Sequence, residues 1–189
     1  VEPAVVPEKL VPAAQKADNA EGLAVILPAG KVELDKTALT AAANKGDLKI
    51  SVQTVPESGL TQAQKDTLGS QAGTALIVNV ALLANGVKLT DFSGGQITVR
   101  LPYTLKAGED ASKLVVWFMR DDGTLECHAA FYDAKTASVR FTTTHLSQYI
   151  VAAFPFADVA SDSYYYTAAA WAVNNGVTEG KTAESFAPA

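Results

Sequence analysis

The reactive chemistry open to this chain centres on its two histidines, His128 and His145, and its single cysteine, Cys127. His145 and Ser147 flank Leu146. In an extended segment, residues two apart share a face. His145 could therefore take the Ser147 hydroxyl proton while that oxygen attacks a strained Leu146–Ser147 peptide, cutting the chain at its own serine. The plainer reading has both residues making turn and strand-start hydrogen bonds between two strands. Cys127 and His128 are adjacent, so on a strand they face opposite sides and form no dyad. A lone cysteine in such a place serves as a small core residue, and it can form no disulfide within the chain. Asp121, Asp122 and Glu126 surround a hairpin tip, where carboxylates are solvated turn formers. No histidine cluster is visible beside them, so neither a metal nor a cofactor is expected. Phosphate loops, Gly-x-Ser-x-Gly, Cys-x-x-Cys and His-Glu-x-x-His are absent. The expectation is a chain without enzymatic activity. Because glycosidase carboxylates follow no fixed local spacing, a carboxylate hydrolase stands as a separate reading.

Those residues need a scaffold, and the composition supplies one. Of 189 residues, 48% are hydrophobic and 19% charged, with a net charge of −5. A real core can be buried. Nucleic acid and anionic membranes draw on clustered Lys and Arg, which the chain lacks, so neither is expected as a partner. The longest apolar run, Ala75 to Ala84, is interrupted by Asn79 and falls short of the ~18 residues a spanning helix needs. The chain starts at Val1 rather than Met, which fits a leader removed or left out.

The local patterns are mostly those of strands. A Pro-containing lead-in over residues 1–20 is expected to hold a short helix at Pro7 to Lys16. Over residues 21–153, strands are expected at Leu23–Leu27, Val32–Leu34, Leu48–Val52, Thr74–Ala84, Val87–Phe92, Ile97–Leu101, Leu114–Met119, Leu125–Tyr132, Val139–Phe141 and Tyr149–Ala153. Leu48, Ile50 and Val52 alternate with polar residues, the mark of a half-buried strand. Leu114–Met119 is continuously apolar, which predicts a central strand. Asp35 can cap a helix from Lys36 to Lys45, stopped by Gly46. Thr61 and Gln64 form a capping box for a second helix that Gly69 ends. Asn85 with Gly86, and Asp122 with Gly123, are hairpin signals. The sum is a mostly-β, sandwich-like module with two or three short helices.

Residues 154–189 read differently. Asp162 or Ser163 can cap a helix from Tyr164 to about Asn174, with Tyr166, Ala169, Ala170 and Val173 on one stripe. Asn175 and Gly176 stop it, and Gly180 turns the chain again toward Phe186 and Pro188. A segment this short cannot bury a core alone. It must pack on the β module, on a neighbouring chain, or stay loosely ordered. Its ordered series is Phe156, Asp158 and Val159; Tyr164, Tyr165 and Tyr166; Ala170 to Val173 around Trp171; Gly176 to Gly180; then Phe186 and Pro188. That series resembles an S-layer homology (SLH) repeat. The resemblance implies secretion, a wall or cell-surface location in a Gram-positive-type bacterium, and attachment to secondary cell-wall polysaccharide through a trefoil of several repeats. The family continues past Phe-x-Pro into a Thr-Arg-Ala-Glu-like stretch that contributes to glycan binding, whereas here the chain stops at Ala189 with one incomplete repeat. Trp171 offers a flat apolar face for a sugar, and Gly176 and Gly180 allow close backbone approach. The alternative is that Trp171 is core, both glycines only turn the chain, and Asp158 is a cap or turn former.

The stretch Gly94 to Tyr103, with Val115 to Phe118 and Val139 to Tyr149, resembles a β-rich module found upstream of SLH repeats in clostridial surface proteins. His145, Leu146 and Ser147 resemble the His-Leu-Ser/Thr tripeptide of self-cleaving adhesion-receptor modules, although the disulfides flanking such sites cannot form here. Three functions are thus in view. The first is non-enzymatic display, spacing or adhesion in a wall-anchored protein. The second is independent glycan or protein binding through loops at one end of the sandwich, marked by exposed aromatics such as Tyr103 or Tyr132. The third is an enzyme, self-cleaving or hydrolytic.

Overall fold

A computed structural model of the chain describes residues 4–5, 22–43, 45–62, 65, 75–120, 125–154, 156, 158–159, 163–166, 168–169, 172, 181 and 185–187. The fold is mostly β, built from two antiparallel sheets. The strands are β1 (Ala4–Val5), β2 (Gly22–Leu27), β3 (Gly30–Asp35), β4 (Leu48–Thr54), β5 (Leu76–Ala84), β6 (Val87–Lys88), β7 (Ile97–Pro102), β8 (Leu114–Met119), β9 (Leu125–Ala129), β10 (Phe131–Asp133), β11 (Ser138–Thr143) and β12 (Gln148–Ala153). One sheet has seven strands in the order β1-β4-β5-β12-β8-β9, with β6 added to β5. The other has five, in the order β10-β11-β7-β3-β2.

Period-two alternation decides how the sheets face each other. Val32 and Leu34 of β3, Ile97, Val99 and Leu101 of β7, and Val139 and Phe141 of β11 point to one core. Leu48, Ile50 and Val52, Val78, Val80 and Leu82, Val116, Tyr149 and Val151 meet them from the other sheet. Helix α1 (Lys36–Ala43) closes one end, burying Ala38, Leu39 and Ala42. Asp35 caps it, its Oδ1 accepting the Ala38 N–H at 2.7 Å. Its other oxygen accepts the Gln96 N–H at 2.9 Å, so one side chain fixes both the helix and the entry to β7. Gly95 sits so close to α1 that a Cβ there would lie 2.2 Å from the Ala38 nitrogen. The Asn85–Gly86 hairpin forms with both residues at positive φ (49° and 81°).

Three strands of the larger sheet are apolar on both faces. The outward residues Ile77, Val115, Trp117, Met119, Ile150 and Ala152 form a second cluster with Phe154, Phe156, Val159 and Ala169, and Tyr165, Tyr166 and Phe186 pack around it. The chain beyond Ala153 therefore turns back over the outer face of the sheet that it leaves. Continuous apolar runs such as Leu114–Met119 exist because both their faces are buried. Within this segment the Tyr166 N–H bonds the Ser163 carbonyl and the Ala169 N–H the Tyr165 carbonyl, at 3.0 and 2.8 Å.

Several expectations change in detail. Leu125–Tyr132 is not one strand: it breaks at Ala130, β9 pairing with β8 in one sheet and β10 with β11 in the other. The return from the Asn85 hairpin pairs only over Val87 and Lys88. Ala4 and Val5 pair with β4 inside the expected lead-in. Among the described residues α1 is the one full α-helix, joined by 3₁₀ turns at Glu57–Gly59 and Ala111–Lys113. Gln62 and Lys65 are helical and the Lys65 N–H bonds the Thr61 carbonyl, but the rest of that expected helix, and the one at Pro7 to Lys16, lie outside the described residues. No helix among them is long and apolar enough to cross a membrane.

Candidate functional site

The break at Ala130 and the β11–β12 crossover bring together side chains that are remote in sequence. β9 is an edge strand whose register sets Glu126 opposite Phe118 and His128 opposite Val116. Val116 belongs to the core between the sheets and Phe118 packs against it. Glu126 and His128, two residues apart, thus share the inward face of β9. The segment from β11 to β12 passes from one sheet to the other at this edge and carries His145.

Backbone and side-chain bonds hold that crossover in shape. The buried Thr143 hydroxyl donates to the His145 carbonyl at 3.0 Å, and the His145 N–H donates back to Thr143 Oγ1 at 3.3 Å. The Tyr149 hydroxyl also donates to the His145 carbonyl. The His145 ring rests edge-on against Phe118, with centroids 4.0 Å apart, and lies 5.9 Å from the His128 ring.

Glu126, His128 and His145 each present a ligand atom, and these lie within 4.8 Å of one another. His128 Nε2 stands 3.6 Å from Glu126 Oε1. The other Glu126 oxygen accepts a bond from Arg120 at 2.6 Å. Burial pushes the His128 imidazole below its ordinary range. The Glu126 carboxylate and a bond to the Thr142 carbonyl oppose that push, while His145 adds to it. Burial lowers His145 as well. Desolvation is the largest influence on both rings and favours the uncharged imidazole over the charged one. The Nε2 atoms of both histidines are buried without a hydrogen-bond partner.

Of the residues singled out by sequence, Glu126, His128 and His145 come together in this cluster, while Asp121 and Asp122 lie outside the described residues. Ser147 does not join it: its carbonyl accepts the Val80 N–H, and among the described residues no hydrogen bond links its hydroxyl to His145. Neither positive φ nor a cis peptide occurs at 145–147. Trp171, Gly176 and Gly180 lie outside the described residues. Asp158 acts as a clip, accepting bonds from Ser185 Oγ, the Phe186 N–H and the Ala187 N–H at 2.8, 2.8 and 2.7 Å. Tyr103 is buried, its hydroxyl donating to Glu109 at 2.7 Å, and Tyr132 packs against the core between the sheets. No protein-family profile matches the chain, and no curated protein matches it.

Sequence reasoning missed Glu126 and His128 as partners of His145. The usable signal was slight: the chain has two histidines, one of them i+2 from a carboxylate on a strand.

Proposed function

We propose that this chain is a non-enzymatic display or spacer module of a wall-attached bacterial surface protein, in which residues 154–189 begin an SLH repeat directed at secondary cell-wall polysaccharide. The ordered series from Phe156 to Pro188 supports the attachment half of this reading. One packing observation carries the other half. Phe156, Val159, Ala169 and Phe186 bury against the outer face of the seven-stranded sheet, so the SLH-like segment and the β module are mechanically continuous rather than beads on a linker. A spacer needs that property, because a rigid junction fixes the direction in which a displayed surface points away from its anchor.

The test is co-sedimentation of the full chain with purified Gram-positive sacculi, native or stripped of their secondary polysaccharide. Pelleting with native sacculi alone is the expected result. Equal pelleting with both, or with neither, removes polysaccharide attachment from this chain. The geometry at 145–147 gives self-cleavage no support, and intact mass of fresh protein provides the direct check: a single species spanning residues 1–189 is expected.

A further inference from the structure

The two buried Nε2 atoms pose a problem of hydrogen bonding. The Thr142 carbonyl bonds the His128 imidazole, and Nε2 is the ring nitrogen left over. In the tautomer that places the proton on the nitrogen facing that carbonyl, Nε2 is a bare lone pair. It faces Glu126 Oε1, another acceptor, at 3.6 Å. Two acceptors cannot satisfy each other, and unpartnered buried polar atoms are costly. His145 adds a third polar atom without a partner. Something electron-poor belongs between them.

We propose that Glu126 Oε1 and the Nε2 atoms of His128 and His145 bind one divalent transition-metal ion of the zinc class, leaving a fourth position to water or to a ligand group. Two imidazoles and a carboxylate are a donor set that suits borderline divalent ions, with oxygen-seeking calcium and magnesium disfavoured. In a tetrahedral site with bonds near 2.0–2.1 Å, ligand atoms sit about 3.3 Å apart. The Glu126–His128 separation is close to that edge. The widest separation in the cluster, within 4.8 Å, closes by side-chain adjustment of His145, which stands in the irregular crossover rather than in a strand.

The surroundings fit a metal ligand set in two respects. The Thr142 carbonyl fixes the His128 tautomer, the usual second contact of a ligating histidine. Arg120 engages Glu126 Oε2 and leaves Oε1 turned to the imidazole. Arg120 and Glu126 are the charged groups that bear on the two rings. The guanidinium lowers the affinity for a cation, which sets this site apart from tighter all-neutral or multi-carboxylate cages. Its structural effect is a clamp: an ion here ties the edge strand β9 to the crossover between the sheets. The open fourth position gives the displayed module a point that a carboxylate or imidazole of a partner can occupy.

The experiment uses the untagged full chain after chelator dialysis. Calorimetric titration with zinc chloride is expected to saturate at one equivalent, and cobalt(II) to give the intense visible bands of a low-coordinate site. His128→Gln and His145→Gln are each expected to weaken binding by at least about tenfold while the circular dichroism of the metal-free chain is retained. Should a variant unfold, the unsubstituted chain still decides the matter. Its two histidines are the only imidazole signals in the NMR spectrum, and both are expected to shift together and stop at one equivalent of zinc. Absence of saturable binding, affinity unchanged in both variants, or a shift of one ring alone overturns the proposal.

Discussion

The Phe186 N–H donates to Asp158 Oδ1 at 2.8 Å, joining the last described turn of the chain to the first turn after the sheet. The Ala187 N–H and the Ser185 hydroxyl share the same carboxylate. With Phe186 stacked near Phe156, centroids 5.5 Å apart, this clip closes the segment that covers the outer face.

Those bonds, Phe186 first, hold the Asp158 carboxyl at about 2, below its ordinary 3.8. A depressed folded-state value means the clip contributes fully above the ordinary value and is lost as pH falls toward about 2. Hydrogen exchange at the Phe186 and Ala187 amides is expected to show protection that fades over this window. In Asp158→Ala, which removes both acceptor oxygens, the protection is expected to be weak at every pH, with the exchange of β5 and β8 amides unchanged.

Removing Phe156 probes the same layer. The side chain is buried against the outer face, and Phe156→Ala is expected to cost about 3–5 kcal/mol through lost burial and a cavity. Urea unfolding followed by Trp fluorescence measures it, and Trp117 in the same cluster reports directly.

Asp35→Ala removes the α1 cap and the bond to the Gln96 N–H together. The expected loss is about 1–2 kcal/mol, with Asp35→Asn recovering part of it because an amide oxygen still accepts one bond. Denaturant midpoints of the two variants decide between a cap role and a purely electrostatic one.

Gly95→Ala drives a methyl group into the α1 backbone at Ala38. Overpacking of this kind is expected to cost about 1–3 kcal/mol. Thermal unfolding of Gly95→Ala beside Gly94→Ala makes the comparison. A Cβ at Gly94 meets no neighbouring atom, although Gly94 has φ +74, so backbone strain alone separates its loss from the steric one.

The sequence exposed the strands better than their partners. Alternation at Leu48–Val52 and Ile97–Leu101, the Asp35 cap and the Asn85–Gly86 hairpin are local signals, and each is found in the fold. What escaped is non-local. The residues on both sides of Ala130 have uniform strand character, so no composition change marks the switch between sheets. His128 and His145 meet because β9 pairs with β8 while the crossover comes from β11, a relation between registers that no window along the chain contains. The apolar outer face of β8 was legible as a continuous run, but its cover was not, since the covering side chains belong to a segment whose own pattern names no target.

β12 lies between β5 and β8, bonded along both edges, and its end leads straight into the segment folded back across the same sheet. Stripping Phe154, Phe156 and Val159 from the outer face would bare Ile77, Val115 and Ile150 to water while leaving both ladders of β12 intact. The first casualty of losing the cover is therefore solubility rather than the strand order, because a contiguous apolar patch invites association between molecules.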